Sequence, residues 1–137
     1  MAARMRHIAL LVEDPETSAK FFESAFGMER AGKAGRGLYM SDGTINIALL
    51  KVDHNNPKEK VGIYHFGMWV DDLAQAEKAV TAAGGTYLAG RPETATNSFY
   101  EVKYRNPDGI VFDLTHNGWR GAVKEVVPEP EMAPTAK

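Results

Sequence analysis

The chain contains no cysteine, which excludes disulfides and thiolate zinc sites and fits a reducing cytoplasm. No apolar run reaches the length of a membrane helix, and the N-terminal residues lack the apolar stretch of a secretory signal. Charge of one sign is also missing. Sixteen Lys and Arg face eighteen Asp and Glu, a net of −2, so neither nucleic acid nor an anionic membrane has an electrostatic claim on the protein. What is present is ordinary for a globular chain: 44% apolar and 25% charged over 137 residues, enough for one domain with its own core. The expectation is a cytoplasmic protein whose partner is a small molecule.

One pattern occurs twice. Residues 6–14 read Arg-His-Ile-Ala-Leu-Leu-Val-Glu-Asp and residues 64–72 read Tyr-His-Phe-Gly-Met-Trp-Val-Asp-Asp. Each is an apolar strand opening on a histidine, His7 or His65, and closing on an aspartate that suits a helix N-cap. After Asp14, Pro15 favours the first helical position, and Ala19, Phe22 and Phe26 fall along one side before Gly27. After Asp72, the residues Leu73, Ala76, Val80 and Ala83 do the same before Gly84 and Gly85. Gly32, Gly35 and Gly37 read as a loop, since they do not follow a strand and open a helix as a phosphate-binding loop does. Strands are expected over 38–40, 44–52, 86–88, 98–105 and 110–115, with Asn106-Pro107-Asp108-Gly109 as the turn before the last.

Each half is therefore βαβββ, module one over 5–53 and module two over 61–117. The fold class is α+β: two modules forming a cupped mixed sheet, helices on the outer face, in a single domain of residues 1–120. The prolines and glutamates of 121–137 predict a mobile tail. Side chains alternate along strands, so apolar residues at 8, 10, 12, 66, 68, 70, 110, 112 and 114 go under the helices. His7, Asn46, Ala48, His65, Glu101, Lys103 and Asp113 then project into the cup. Two imidazoles and a carboxylate are enough to hold a divalent metal, and Glu101 or Lys103 can move protons if the cavity shifts its pKa towards neutrality. The plainer readings are an Asp113 neutralised by Lys103, and Glu101 and Lys103 as an exposed edge pair. Trp69, Tyr39 and Trp119 are aromatic residues for a substrate cavity, Trp69 first among them.

The His-strand-Asp-helix opening of both halves, with the Asn-Pro-Asp-Gly turn before Asp113, resembles the vicinal oxygen chelate superfamily over about residues 5–117. That group includes glyoxalase I, extradiol dioxygenases, methylmalonyl-CoA epimerase, and fosfomycin and bleomycin resistance proteins. The resemblance implies a cup around a divalent metal whose ligands come from the first and fourth strands of each module, here His7, Ala48, His65 and Asp113. Ala48 cannot ligate, which argues against glyoxalase I activity. The remaining His, His and carboxylate match the extradiol dioxygenases, although Lys103 stands where those enzymes carry tyrosine, with Tyr104 one place later. The implied function is a metal-dependent enzyme chelating a small oxygenated substrate, with Fe(II) favoured over Mn(II), Ni(II) or Zn(II) and dioxygenase-like chemistry slightly ahead. A glyoxalase-like lyase, isomerase or epimerase is the alternative, and a metal-free bleomycin-resistance-type binding protein the rival of another class. Asn46 is placed to help a water or substrate bridge the missing ligand. A homodimer is expected, because open sheet edges and aromatic residues need cover.

Overall fold

The structure is a computed structural model, and it describes residues 3–90 and 101–126. Module one runs β1 (Arg4–Val12), α1 (Pro15–Phe26), β2 (Glu29–Ala34), β3 (Gly37–Ser41) and β4 (Asn46–Lys51). Module two runs β5 (Gly62–Trp69), α2 (Leu73–Ala82), β6 (Thr86–Ala89), β7 (Val102–Arg105) and β8 (Val111–Thr115). The strands form one eight-stranded mixed sheet in the order β2-β3-β4-β1-β5-β8-β7-β6. β1 and β5 pair antiparallel at its centre, and each has the last strand of its own module parallel on its other side. The two modules therefore join within one chain. No helix among the described residues is long and apolar enough to cross a membrane.

Asp14 and Asp72 cap the helices as their positions dictate: Asp14 accepts from the Glu16 amide and Asp72 from that of Gln75. Each helix covers its own module. Ala19 and Phe22 pack with Leu10, Val12, Met40, Ile47 and Leu49, while Leu73, Ala76 and Val80 pack with Val70, Val102, Tyr104, Phe112 and Leu114. Apolar side chains thus go under the helices, and the opposite sheet face carries the polar ones together with small and apolar residues such as Ala9, Ala48 and Leu50. The alternation weakens at element ends, where Phe26, Ala83 and Ile110 stay exposed rather than buried.

Two expectations need correction. The glycines at 32, 35 and 37 belong to the β2–β3 hairpin instead of a loop, with a register shift between Arg30 and Gly32. Gly37 is required by tertiary contact, because an added Cβ would collide with the Leu49 carbonyl on β4. Residues 121–126, read as mobile tail, are fastened to the sheet. The Val123 amide donates to Thr44, the Arg6 guanidinium donates to the Val123 carbonyl, and Lys124 pairs with Asp71. The rest of that tail and the first residues of the strand expected over 98–105 lie outside the described residues.

Candidate metal centre

Strand register assembles the site. One row across the inner face reads Asn46 on β4, His7 on β1, Gly67 on β5, Asp113 on β8 and Lys103 on β7. The next row carries Tyr39, Ala48, Ala9 and His65. His7 and His65 occupy equivalent places in their modules, and so do Ala9 and Gly67 two residues on. Asp113 pairs with Gly67 and Ala48 with Ala9, so Ala48 is the counterpart of Asp113 in module one. Small residues at 9 and 67 leave room for the two imidazoles to lean together.

His7 Nε2 lies 3.3 Å from His65 Nε2 and 3.6 Å from Asp113 Oδ2, and His65 Nε2 lies 3.0 Å from the same carboxylate oxygen. All three residues are buried. Ligand atoms about 2.1 Å from one ion stand about 3.0 Å apart at right angles and about 3.4 Å apart at tetrahedral angles. The 3.0 and 3.3 Å separations fall in that range, and the 3.6 Å between His7 Nε2 and Asp113 Oδ2 lies slightly beyond it. His7 is also held in the right tautomer. Asn46 donates through Nδ2 to the Arg120 carbonyl at 2.7 Å, which turns its Oδ1 towards His7 Nδ1, also at 2.7 Å. The proton of a neutral His7 therefore sits on Nδ1, and Nε2 presents a lone pair to the cluster. Asp113 Oδ2 and His65 Nδ1 are buried without a hydrogen bond of good geometry, a cost that a cation among the three ligands would offset at the carboxylate.

Electrostatics favour the ligating forms. Burial is the chief cause that lowers the His7 imidazole to about 4, partly offset by Asn46 and Asp113. Burial works to raise the Asp113 carboxyl, but His65 and Lys103 outweigh it and hold it down to about 2. The Lys103 ammonium donates to Asp113 Oδ1 at 2.6 Å. Burial would lower it, yet the charges of Asp113 and Glu101 keep it above its usual range. Glu101 moves the other way: burial first, then the Asp113 charge, push it up to about 7.

A cavity of about 530 Å³ opens over the two imidazoles, lined among others by Ala48, Tyr39, Tyr64, Glu101, Lys103 and Trp119. Trp119 stacks on His7 with ring centroids 4.8 Å apart, and its Nε1 donates to Glu101 Oε2 at 2.8 Å. The indole lies so close to β5 that a Cβ on Gly67 would sit 2.6 Å from it. Trp119 therefore holds the His7 imidazole and the Glu101 carboxyl in fixed relation.

The sequence profile of the Glyoxalase/Bleomycin resistance protein/Dioxygenase superfamily matches residues 4–114. The chain belongs to that superfamily. No curated protein matches its sequence. Among solved structures it is similar to a methylmalonyl-CoA epimerase from Streptomyces coelicolor, with TM-score 0.66 and 15% identity over 81% of this chain and 94% of that one. The 2,3-dioxygenase LapB from Pseudomonas sp. KL28 gives TM-score 0.61 and 22% identity over 94% of this chain and 46% of that one. A Mn(II)-bound glyoxalase from Novosphingobium aromaticivorans gives 0.66 and 19% over 92% and 44%. The chain thus spans about half the length of the latter two. At these identities the likeness establishes the shared fold.

Within this superfamily fold, the structure brings His7, His65, Asp113, Glu101, Lys103 and Ala48 to one place. It separates two others. Trp69 does not line the cavity: its indole packs against Gly118 and donates to the His116 carbonyl. Asn46 does not face substrate either, being fully buried behind His7. Tyr104 points to the helix side, where its hydroxyl donates to Glu77 at 2.7 Å. The contribution of Trp119 had only a weak signal, an aromatic residue just past the last strand. Lys33, Arg36 and Arg120, also on the cavity wall, had none.

Proposed function

We propose that the protein is a metal-dependent enzyme that takes a small substrate by two neighbouring oxygens at His7, His65 and Asp113, with extradiol-dioxygenase-like chemistry favoured. The observation that carries this is the open corner at Ala48. It lines the cavity where Asp113 has its ligand, so a six-coordinate ion would keep three positions for exchangeable groups. A divalent ion held there, Fe(II) by preference and Mn(II), Ni(II) or Zn(II) otherwise, supplies polarisation of the substrate oxygens. The chain does the rest. Asn46 orients His7, Lys103 keeps Asp113 ionised, and Trp119 closes the wall above His7. Glu101, raised towards neutrality and anchored by Trp119, accepts the substrate proton. Lys103, raised instead, stays charged and acts as the partner of Asp113.

Glu101 itself favours a second reading, a metal-assisted isomerase, epimerase or glyoxalase-like lyase that removes a proton beside a carbonyl. Oxygen uptake across a panel of catechols, after anaerobic Fe(II) loading, tests the first. Deuterium incorporation from D₂O beside a carbonyl in Mn(II)- or Ni(II)-loaded protein tests the second. In either case Glu101→Gln should abolish turnover while metal content is kept. If protein of verified metal content does neither, the enzyme reading falls and a bleomycin-resistance-type binding protein replaces it. The same proposal includes a homodimer, supported by the exposed apolar side chains of Phe21, Val61 and Ile63 around one groove.

A further inference from the structure

We infer that the Tyr39 hydroxyl is the hydrogen-bond donor for the substrate oxygen that occupies the Ala48 corner. The inference rests on the triad reading above and adds a substrate-binding residue in the module that lacks the carboxylate. Module symmetry carries it. In module two, Lys103 on β7 pairs with Asp113 on β8, and its ammonium donates to Asp113 Oδ1 at 2.6 Å. β3 is to module one what β7 is to module two, and Tyr39 on β3 pairs with Ala48 on β4. Tyr39 is thus the counterpart of Lys103, as Ala48 is of Asp113. Module two sets a donor against a protein carboxylate. Module one keeps the donor and omits the carboxylate, so the acceptor is left for a bound molecule to bring.

Local geometry agrees. Directly paired residues of antiparallel strands hold their Cβ atoms about 4.5–5.5 Å apart on one face, so the Tyr39 ring rises beside the Ala48 methyl. Both residues line the cavity. The charges of Glu101, Asp113 and Lys103, which stand on the far side of the imidazoles, are felt at the Tyr39 hydroxyl, so the side chain leans inward over the corner. Among the described residues that hydroxyl has no hydrogen-bond partner, whereas Lys103, Glu101 and Trp119 in the same cavity have theirs. Burial, with the Glu101 charge behind it, raises the phenol above its usual range, which keeps it a donor. The contrast with lysine has a chemical meaning. The cation at Lys103 fixes its partner as a permanent anion. A neutral phenol strengthens its bond to an anionic oxygen yet tolerates a neutral one, and so suits an oxygen that passes between the two during turnover.

The test uses tropolone, which presents two neighbouring oxygens, and Co(II), whose visible spectrum reports a change of ligand. Wild-type protein and Tyr39→Phe are loaded with Co(II), assayed for metal content and titrated with tropolone. Losing a hydrogen bond to an anionic oxygen should weaken tropolone about tenfold or more. Co(II) affinity from chelator competition, and the circular dichroism, should stay at the wild-type level. A second measurement locates the hydroxyl. In Ala48→Glu the introduced carboxylate takes the corner and becomes the acceptor, so adding Tyr39→Phe to it should lower Co(II) affinity about tenfold. Undiminished tropolone affinity in Tyr39→Phe, with Co(II) bound, overturns the inference and leaves the triad reading standing. An equal loss of Co(II) and tropolone affinity in that variant also overturns it, because the hydroxyl then serves the fold. Failure of wild-type protein to take up Co(II) overturns the triad reading itself, and the inference with it.

Discussion

Asn46 is a single amide with two tasks: it fixes the His7 tautomer and satisfies the Arg120 carbonyl. Removing the orienting partner of a ligating histidine usually costs 10–100-fold in metal affinity. Asn46→Ala should fall in that range, measured by competition with a chromogenic chelator, while Asn46→Asp should retain much more. His7 also makes the metal-free protein sensitive to acid. Its imidazole titrates near 6.5 when free and near 4 when folded, so between those values the unfolded chain binds the extra proton. Stability must then fall as pH drops from 6.5 towards 4. From pH 7.5 to 4.5 the loss is about 2–3 kcal/mol. Urea midpoints in the presence of EDTA should show it, and His7→Gln should flatten that window. Asp113 acts lower down: held near 2 in the folded chain, it withdraws stability only as pH falls through 3.8 towards 2.

At the scale of elements, the paired modules make Ala48 the mirror of Asp113. Ala48→Glu should tighten metal binding on the order of tenfold by adding a fourth protein ligand, and should cut turnover by closing a substrate position. Unchanged affinity by the same chelator assay would place Ala48 away from the ion. The β2–β3 hairpin gives a second contrast. Gly37→Ala drives a methyl into the Leu49 carbonyl and should cost roughly 1–3 kcal/mol. Gly35, two residues earlier, has an ordinary φ and open space where a Cβ would go, so Gly35→Ala should be neutral or stabilise by up to about 1 kcal/mol. Both are read by urea denaturation.

These elements also mark what the sequence could reveal. Strand phase placed His7, His65 and Asp113 on one face because alternation needs only local information. The His-to-Asp strand openings exposed the module symmetry, and the capping aspartates fixed both helix starts. The demand for glycine at 37 and 67 comes from groups 12 and 52 residues away, and no local pattern carries that. Asn46 was correctly faced inward but wrongly given to substrate, since its partners His7 and Arg120 become visible only in three dimensions. Trp69 and Trp119 were indistinguishable by type, and the segment after the last strand decided between them by folding back over β5.

For the molecule as a whole, β1 pairs with β5 of the same chain, so each protomer contains a full triad. The expected dimer is then a matter of covering apolar surface rather than of completing the site. Light scattering should give about 30 kDa, twice the 15.0 kDa chain, throughout the micromolar range. A 15 kDa species there would exclude it. Replacing Ile63, which is 80% exposed, with Asp should produce monomers that keep metal affinity.

The placement of Trp119 and Asp113 bears on biosynthesis. In synthesis Asp113 follows His7 by 106 residues, and Trp119 comes six after that. At ordinary elongation rates the interval is about 5–20 s. During that time the emerging chain holds at most two of the three residues of the proposed triad, with neither the carboxylate nor the indole. Two imidazoles on a growing chain have little grip on an ion. Any ion taken by the proposed triad is therefore gripped only after Asp113 and Trp119 have been made and folded onto the sheet.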